Sequence, residues 1–469
     1  MNFTCSEVAR VTGGQLLGPD GIIRGLTIDS RIVQADELFV AIRGDRDGHD
    51  FVSTARDGGA TAFLVDHDLG LVGEIVVPNT ETALRALGAH ARSRITGPVV
   101  GVTGSAGKTS TKDLLAGIFR VAGPTTSSLK SFNNELGVPL TLCNGPDDTA
   151  YAVIEMGARG VGHIGVLCEI AKPTIGVITN IGTAHRELFL TAELTARAKG
   201  ELLSALPAHG TAVLNADDPM VDLLTSLTSA SLLTFSASGS TKADVWASDI
   251  YVDATLRSTF TLNSSWGTAA IDLSVRGRHQ IANALAAAAA ALAAGVSVEH
   301  VVEGLRTEDV SPWRMEVSTL SSGALVCNDA YNANPNAMVV ALGALAEIPA
   351  ARRIAVLGTM AELGDEAEEL HQQVGDEARR LGIDVLLSVA EPRFKGFIST
   401  ADYTSAVDWL LANEATQTGT AILVKGSRMA GLERLVALLH ERTSESPFAS
   451  SGAQLIPETS TAIDQKETP

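Results

Sequence analysis

The chain has 469 residues, more than one compact core holds, so two or three domains are expected. With 45% hydrophobic and 19% charged residues it is neither disordered nor fibrous, and a formal net charge of −19 argues against a general nucleic-acid binder, which needs a basic face. Only nine of its 35 basic residues are lysines, so arginine is the ordinary surface cation and each lysine raises the question of why arginine would not do. Cys5, Cys143, Cys168 and Cys327 form no CxxC pair, which fits a reducing compartment. Met1 to Arg10 contains Glu7 and no apolar run, as expected without a signal peptide. The longest uncharged apolar stretch, Ala284 to Ala294, is far short of the ~20 residues a bilayer requires. A cytoplasmic protein without membrane insertion is expected.

Residues 1–97 alternate short β-like runs (Leu38 to Ile42, Ala62 to Val65, Glu74 to Val77) with Gly-rich turns, and form a first α/β domain. Pro98 opens a second pattern, 98–312. A β-branched run, Val99 to Thr103, leads into glycine and then an amphipathic helix from Lys108 to Val121. Apolar runs recur at Tyr151 to Glu155, Thr174 to Ile178 and Thr211 to Leu214, separated by helical segments, which implies a parallel sheet covered on both faces. Between Ala243 and Val275 the pattern alternates polar and apolar, so a few antiparallel strands extend that sheet. A third, Rossmann-like α/β pattern covers 313–442, with strands at Ile354 to Leu357, Val385 to Val389 and Ile422 to Val424. Residues 443–469 are rich in Ser, Thr, Glu and Pro and read as a disordered tail.

The strongest local signal is Gly101-Val-Thr-Gly-Ser-Ala-Gly-Lys-Thr-Ser110. Between a strand and a helix, the amides of Gly104, Ser105, Ala106 and Gly107 can curl around phosphate oxygens. Lys108 can reach the β- and γ-phosphates and the Thr109 hydroxyl can meet Mg²⁺, with Ser110 following on the helix. The loop departs from the general phosphate-loop pattern, because Val102 stands where a glycine is usual. A nucleotide-dependent switch protein therefore stays open, although no guanine-specifying Asn-Lys-x-Asp tetrapeptide occurs. Later strands end in polar groups: Glu155 after one, Asn180 and His185 after the next. Ligands of open parallel sheets bind at strand carboxyl ends, so Glu155 and His185 are candidates to converge on the phosphate side as metal ligands. Lys199 lies in a helical segment; spacing alone reads it as a surface lysine paired with Glu201 or Glu193.

Together, Thr103-Gly-Ser-Ala-Gly-Lys-Thr109, Ser131-Phe-Asn-Asn-Glu-Leu-Gly-Val-Pro139, Glu155-Met-Gly-Ala158, Thr179-Asn-Ile-Gly-Thr-Ala-His185, Ala198-Lys-Gly-Glu201, Gly277-Arg-His-Gln-Ile-Ala-Asn283, Asp329-Ala-Tyr-Asn-Ala-Asn-Pro335 and Val424-Lys-Gly-Ser-Arg428 resemble the Mur ligase family, from Asp29 to Arg428. The resemblance implies three domains: a UDP-sugar-binding domain, a central ATP-binding domain and a C-terminal ligase domain. It implies an ATP-dependent carboxylate–amine ligase of peptidoglycan synthesis, working as a monomer. The Asn-Asn-Glu and Tyr-Asn-Ala-Asn-Pro segments point to the member that joins D-alanyl-D-alanine to UDP-N-acetylmuramoyl-tripeptide. Another Mur-type ligase or a folylpolyglutamate ligase is the alternative.

By the same resemblance Lys108, His185 and Lys199 are catalytic. Thr109 and Glu155 hold one Mg²⁺, and Glu155, His185 and a carbamylated Lys199 hold a second. Asn283 lies near adenine, and Asn332 and Asn334 face the nucleotide and the reacting centre. Asn133 and Asn134 belong to the substrate side, while Lys425 and Arg428 meet anionic groups. Ser30, Arg31, Asp47 and His49 lie in the segments that receive the UDP-sugar. One departure is Ala184-His-Arg-Glu187, where the family carries leucine at the Arg186 position; a cation there would weaken the second metal site if it paired with a site carboxylate.

Overall fold

Val99 to Thr103 is buried at every position, on both faces, as a central parallel strand must be. It pairs in parallel with Tyr151–Glu155 on one side and Ile175–Ile178 on the other. The register sets Val102 opposite both Glu155 and Val177. Val102 is thus a sheet-core residue, which explains why the glycine of the general pattern is missing there: the loop bends only after Thr103. The protein is seen here in a computed structural model that describes residues 1–129, 132–158, 160–182, 191–307 and 311–444.

Around that strand runs a nine-stranded sheet whose order is Gly267–Arg276, Arg257–Ser264, Val245–Val252, Ser231–Ser236, Thr211–Asn215, Ile175–Ile178, Val99–Thr103, Tyr151–Glu155, Thr125–Ser127. Its first three members are the expected antiparallel extension. Ser231–Ser236 and Thr125–Ser127, short or polar, join it unannounced by the sequence pattern. The helix Lys108–Ala122 buries Leu114, Leu115, Ile118 and Phe119. It packs on the helix Gln280–Ala293, in which every residue from Ala284 to Ala291 is fully buried. A third helix, Val298–Thr307, approaches so closely that a Cβ on Gly304 would lie 2.4 Å from the Ile118 Cα. Emptying this layer, as in Phe119→Ala, is expected to cost about 3–5 kcal/mol.

The N-terminal sheet has the order Gln15–Leu17, Glu74–Val76, Ala62–Val65, Glu37–Val40, Gly25–Thr27, parallel except at its first pair. Asn144 of the central unit binds its edge strand: Oδ1 accepts from the Leu26 N–H at 2.7 Å and Nδ2 donates to the Leu26 carbonyl at 2.8 Å. The C-terminal sheet orders Glu316–Thr319, Leu325–Asn328, Thr420–Lys425, Arg352–Leu357, Val385–Val389 and Ile398–Thr400, antiparallel only at the first pair. The molecule is accordingly an α/β protein of three sheet-centred domains. The last described helix, Glu433–Ser444, takes in Thr443 and Ser444 from the segment expected as tail, and Thr443 Oγ1 donates to the Leu439 carbonyl. Among the described residues no helix is long and apolar enough to cross a membrane.

Candidate active site

A cleft of about 790 Å³ lies between the carboxyl ends of the central strands and the C-terminal domain. Ser105 to Ser110, Asn133, Asn134, Glu155, Lys199, Asn283, Asn332, Asn334, Lys425 and Arg428 all line it. Gly104 and Gly107 shape the loop: their φ values are 150° and 79°, and a Cβ on either would lie within 2.2 Å of Thr179 Oγ1 or Asn283 Oδ1. The loop is braced from the next strand. Asn180 Oδ1 accepts from the Ala106 N–H at 3.0 Å, its Nδ2 donates to the Ala106 carbonyl at 3.2 Å, and its own carbonyl accepts from Ser105 N–H at 3.0 Å. Thr179 Oγ1 donates to the same Ala106 carbonyl at 2.6 Å. Lys108 begins the helix and donates to the Gly104 carbonyl at 2.7 Å.

Glu155 ends its strand at 1% exposure. One oxygen accepts from Asn133 Nδ2 at 2.8 Å; the other is buried with no hydrogen-bond partner. An orphaned carboxylate oxygen on a cleft that Thr109 also lines is a donor set that fits a hard divalent cation. Lys199, on the helix Ala192–Ser204, is 1% exposed, so it is no surface lysine. Its expected partner Glu201 is engaged elsewhere, accepting from the Gly162 and Gly165 amides. Burial, then the nearby charge of Lys108, holds the Lys199 ammonium well below the usual lysine range. Burial also lowers Lys108, against the opposing pull of Glu155, and Arg314 lowers it further. Cations gathered this closely around one opening call for a polyanion.

Arg314 was not among the sequence candidates. It lines the cleft with its guanidinium 4.1 Å above the Tyr331 ring, and its Nε is buried without a partner. Its neighbours Trp313 and Met315 both carry positive φ, 62° and 53°. Backbone strain on both sides of a cleft-lining arginine is the pattern of a functional segment; no periodicity or motif in the sequence could have revealed it.

Other candidates take supporting positions. Asn283 donates to Gln280 Oε1 at 2.8 Å and packs its Oδ1 on Gly107. Asn334 caps the helix Pro335–Glu347, accepting from Ala337 N–H at 2.9 Å, and Asn134 accepts from Gly137 N–H at 2.9 Å. Lys425 is buried where it lines the cleft. Its ammonium donates to Asp329 Oδ2 (2.6 Å), the Asp329 carbonyl (3.3 Å) and the Asn332 carbonyl (2.9 Å). These three bonds fix the 329–334 turn at the wall of the cleft. Arg428 pairs with Glu433 at 3.0 Å and lies over the Trp313 ring. His185 and Arg186 lie outside the described residues.

Ser30, Arg31, Asp47 and His49 do not line this cleft. They follow the carboxyl ends of the adjacent strands Gly25–Thr27 and Glu37–Val40, at one end of the N-terminal sheet. Arg31 pairs bidentately with Asp29. His49 Nε2 accepts from the Asp66 N–H at 3.1 Å and its Nδ1 donates to Asp47 at 2.6 Å. Both ring nitrogens are therefore used within the domain.

Residues 22–93 match the Mur ligase family catalytic domain, 102–291 the Mur ligase middle domain, and 313–428 the Mur ligase glutamate ligase domain. The chain is 37% identical over 452 residues to the UDP-N-acetylmuramoyl-tripeptide–D-alanyl-D-alanine ligase of Escherichia coli K12, covering 94% of this chain and 99% of that protein. Among solved structures it resembles MurF from Acinetobacter baumannii, with a TM-score of 0.84 and 30% identity over 94% of this chain and 99% of that one. It also resembles the MurF ligase of Thermotoga maritima in complex with ADP, with a TM-score of 0.78 and 27% identity over 90% and 98%.

Proposed function

Because the chain belongs to the Mur ligase family, we infer that it is the ATP-dependent ligase that joins D-alanyl-D-alanine to UDP-N-acetylmuramoyl-tripeptide. The product, a UDP-linked pentapeptide, serves peptidoglycan synthesis. A carboxylate resists attack by an amine because oxide is too poor a leaving group. ATP removes that obstacle: the tripeptide carboxylate takes the γ-phosphoryl group, ADP departs, and an acyl phosphate results. The dipeptide amine, having lost a proton, adds to the acyl carbon, and phosphate leaves as the amide forms. Positioning and charge stabilisation supply the rate, rather than covalent catalysis by the protein.

The observation that carries the reading is the unpaired Glu155 oxygen opening on the same cleft as the phosphate loop and the buried Lys199. Lys108, the loop amides of Gly104 to Thr109 and Arg314 would bind the phosphates, with Asn180 and Asn283 holding the loop. Thr109 and Glu155 would hold Mg²⁺; when bound, it neutralises phosphate charge. Lys199, with its ammonium disfavoured by burial, is suited to take up CO₂ as a carbamate. That would add an anionic oxygen donor to the cleft that Glu155 also lines, which arginine, always protonated, cannot provide. The Ser30–Arg31 and Asp47–His49 turns would receive the UDP-sugar. Buried free thiols and nucleotide-linked substrates fit the cytoplasm.

The test is phosphate release from ATP by the full chain. Release that requires both UDP-N-acetylmuramoyl-tripeptide and D-alanyl-D-alanine, with pentapeptide formed in equal amount, is expected. Release independent of both acceptors would defeat the ligase reading in favour of a nucleotide switch. Turnover with glutamate and a folate would indicate the folylpolyglutamate alternative.

A further inference from the structure

The sixth residue of the phosphate-loop helix, Asp113, has no place in the mechanism above, yet it is 9% exposed and fully engaged. One oxygen, Oδ2, accepts from both the backbone N–H (2.8 Å) and the hydroxyl (2.7 Å) of Ser311, a residue 198 positions away. Ser311 belongs to the connection between the central and C-terminal domains and lies three residues before Arg314. The other carboxylate oxygen pairs with the buried Lys112 ammonium. Lys112 donates in turn to the Ser128 carbonyl at 2.9 Å, and Ser128 Oγ accepts from the Glu155 N–H at 3.1 Å. A buried polar chain thus runs from the interdomain connection, through the phosphate-loop helix, to the strand that ends in Glu155. Beyond Arg314 the connection is tied again, the Met315 N–H donating to Asp329 Oδ1 at 3.1 Å. Arg314 therefore sits on a short strained segment pinned on either side, once to each domain.

We propose that Asp113 is a positioning residue for nucleotide binding: by holding Ser311 on the phosphate-loop helix it sets where Arg314 enters the cleft. A buried carboxylate that accepts two hydrogen bonds from one residue fixes that residue's backbone as well as its side chain. Without it the strained turn at Trp313 loses this tie to the central domain, and Arg314 loses its fixed entry into the cleft. The proposal rests on the reading that Arg314 meets the phosphates, not on the identity of the acceptor.

The test is a double-mutant cycle read by calorimetric affinity for a non-hydrolysable ATP analogue with Mg²⁺, using the full chain. Asp113→Asn removes the negative charge and puts an amide NH2 in place of one carboxylate oxygen, so the two Ser311 donors and the Lys112 ammonium compete for one neutral acceptor; it is expected to weaken binding roughly tenfold, as loss of a charge-assisted contact does. Arg314→Ala should weaken it at least as much. The double variant should bind within about twofold of Arg314→Ala alone, because Asp113 acts only through that arginine. A merely structural Asp113 would lower the melting temperature and weaken binding by the same factor whether or not Arg314 is present; that outcome overturns the proposal, as does unchanged affinity in Asp113→Asn. If Asp113→Asn does not fold, Ser311→Ala completes the cycle, since it removes one of the two bonds and leaves the Lys112 pair intact. A smaller loss that vanishes in the Arg314→Ala background supports the proposal, and no loss refutes it. Product formation is not needed for this readout, so absent ligation would count against the ligase reading alone.

Discussion

Asn180 shows how far a single side chain off the phosphate loop can govern it. Its amide makes two bonds to Ala106, but they are not equivalent. The Ala106 carbonyl also accepts from Thr179 Oγ1 at 2.6 Å, so it stays satisfied in Asn180→Ala. The Ala106 N–H donates to Asn180 Oδ1 and would be left to water. Ala106 is only partly buried, so the loss belongs at the lower end of the range for an orphaned donor, about 1–2 kcal/mol. If that order is needed only when phosphate is bound, affinity for an ATP analogue should fall roughly 5- to 30-fold. Thr179→Val alone should do less, because Asn180 Nδ2 still serves the carbonyl; the double variant should then lose more than the sum of the two. Calorimetry on the three variants, with melting temperature as a control for folding, decides it. An Asn180→Ala protein that binds the analogue within twofold of wild type, or a strictly additive double variant, would refute the reasoning.

Lys199→Ala should nearly abolish phosphate release while leaving the fold intact, with partial recovery on adding short carboxylic acids; full activity without them would sink the carbamate. Val102→Gly, which restores the general loop pattern, should not improve nucleotide binding and should destabilise the central sheet by roughly 3 kcal/mol, measured by urea unfolding, since it opens a cavity and loosens the strand. In the C-terminal domain, burial alone would raise the Glu391 carboxyl, but hydrogen bonds from Arg393 and Thr359 prevail and hold it at about 2. A carboxyl lowered by folding contributes stability above its unfolded value, and that contribution fades as pH falls through the folded one. The stability gap between wild type and Glu391→Gln should therefore be full at pH 6 and shrink between pH 5 and pH 2; a gap independent of pH would contradict the assignment.

What the sequence discloses is local. The strand–loop–helix at Val99 to Val121, the strand-end Glu155 and the alternation from Ala243 to Val275 each lie in one continuous window, where period and turn chemistry speak directly. Short strands such as Thr125–Ser127, Glu316–Thr319 and Ile398–Thr400 have too few residues for a period, and their neighbours in the sheet create them. Lys199 shows the limit for side chains: helical spacing offered it Glu201, whereas the fold buries it and turns Glu201 to the Gly162–Gly165 amides. Asp113 with Ser311, Asn180 with Ala106 and Arg314 with Tyr331 are pairings between distant segments. Only the assembled fold creates them, and no count of residues along the chain could.

The helix from Gln280 to Ala293 has a consequence in conformational freedom. Its fully buried stretch, Ala284 to Ala291, contains one leucine and otherwise only alanine. Alanine has no rotamers to freeze, so this wall is buried at almost no cost in side-chain entropy and has almost no alternative packings to visit. Methyl-sized contacts also let it lie close against the phosphate-loop helix, leaving little slack between them. Asn283, at its head, is thus carried on a support with few ways to move. The loop it touches at Gly107 meets the same surface in each cycle of binding and release, and precision at the nucleotide arises from residues that carry no functional group at all.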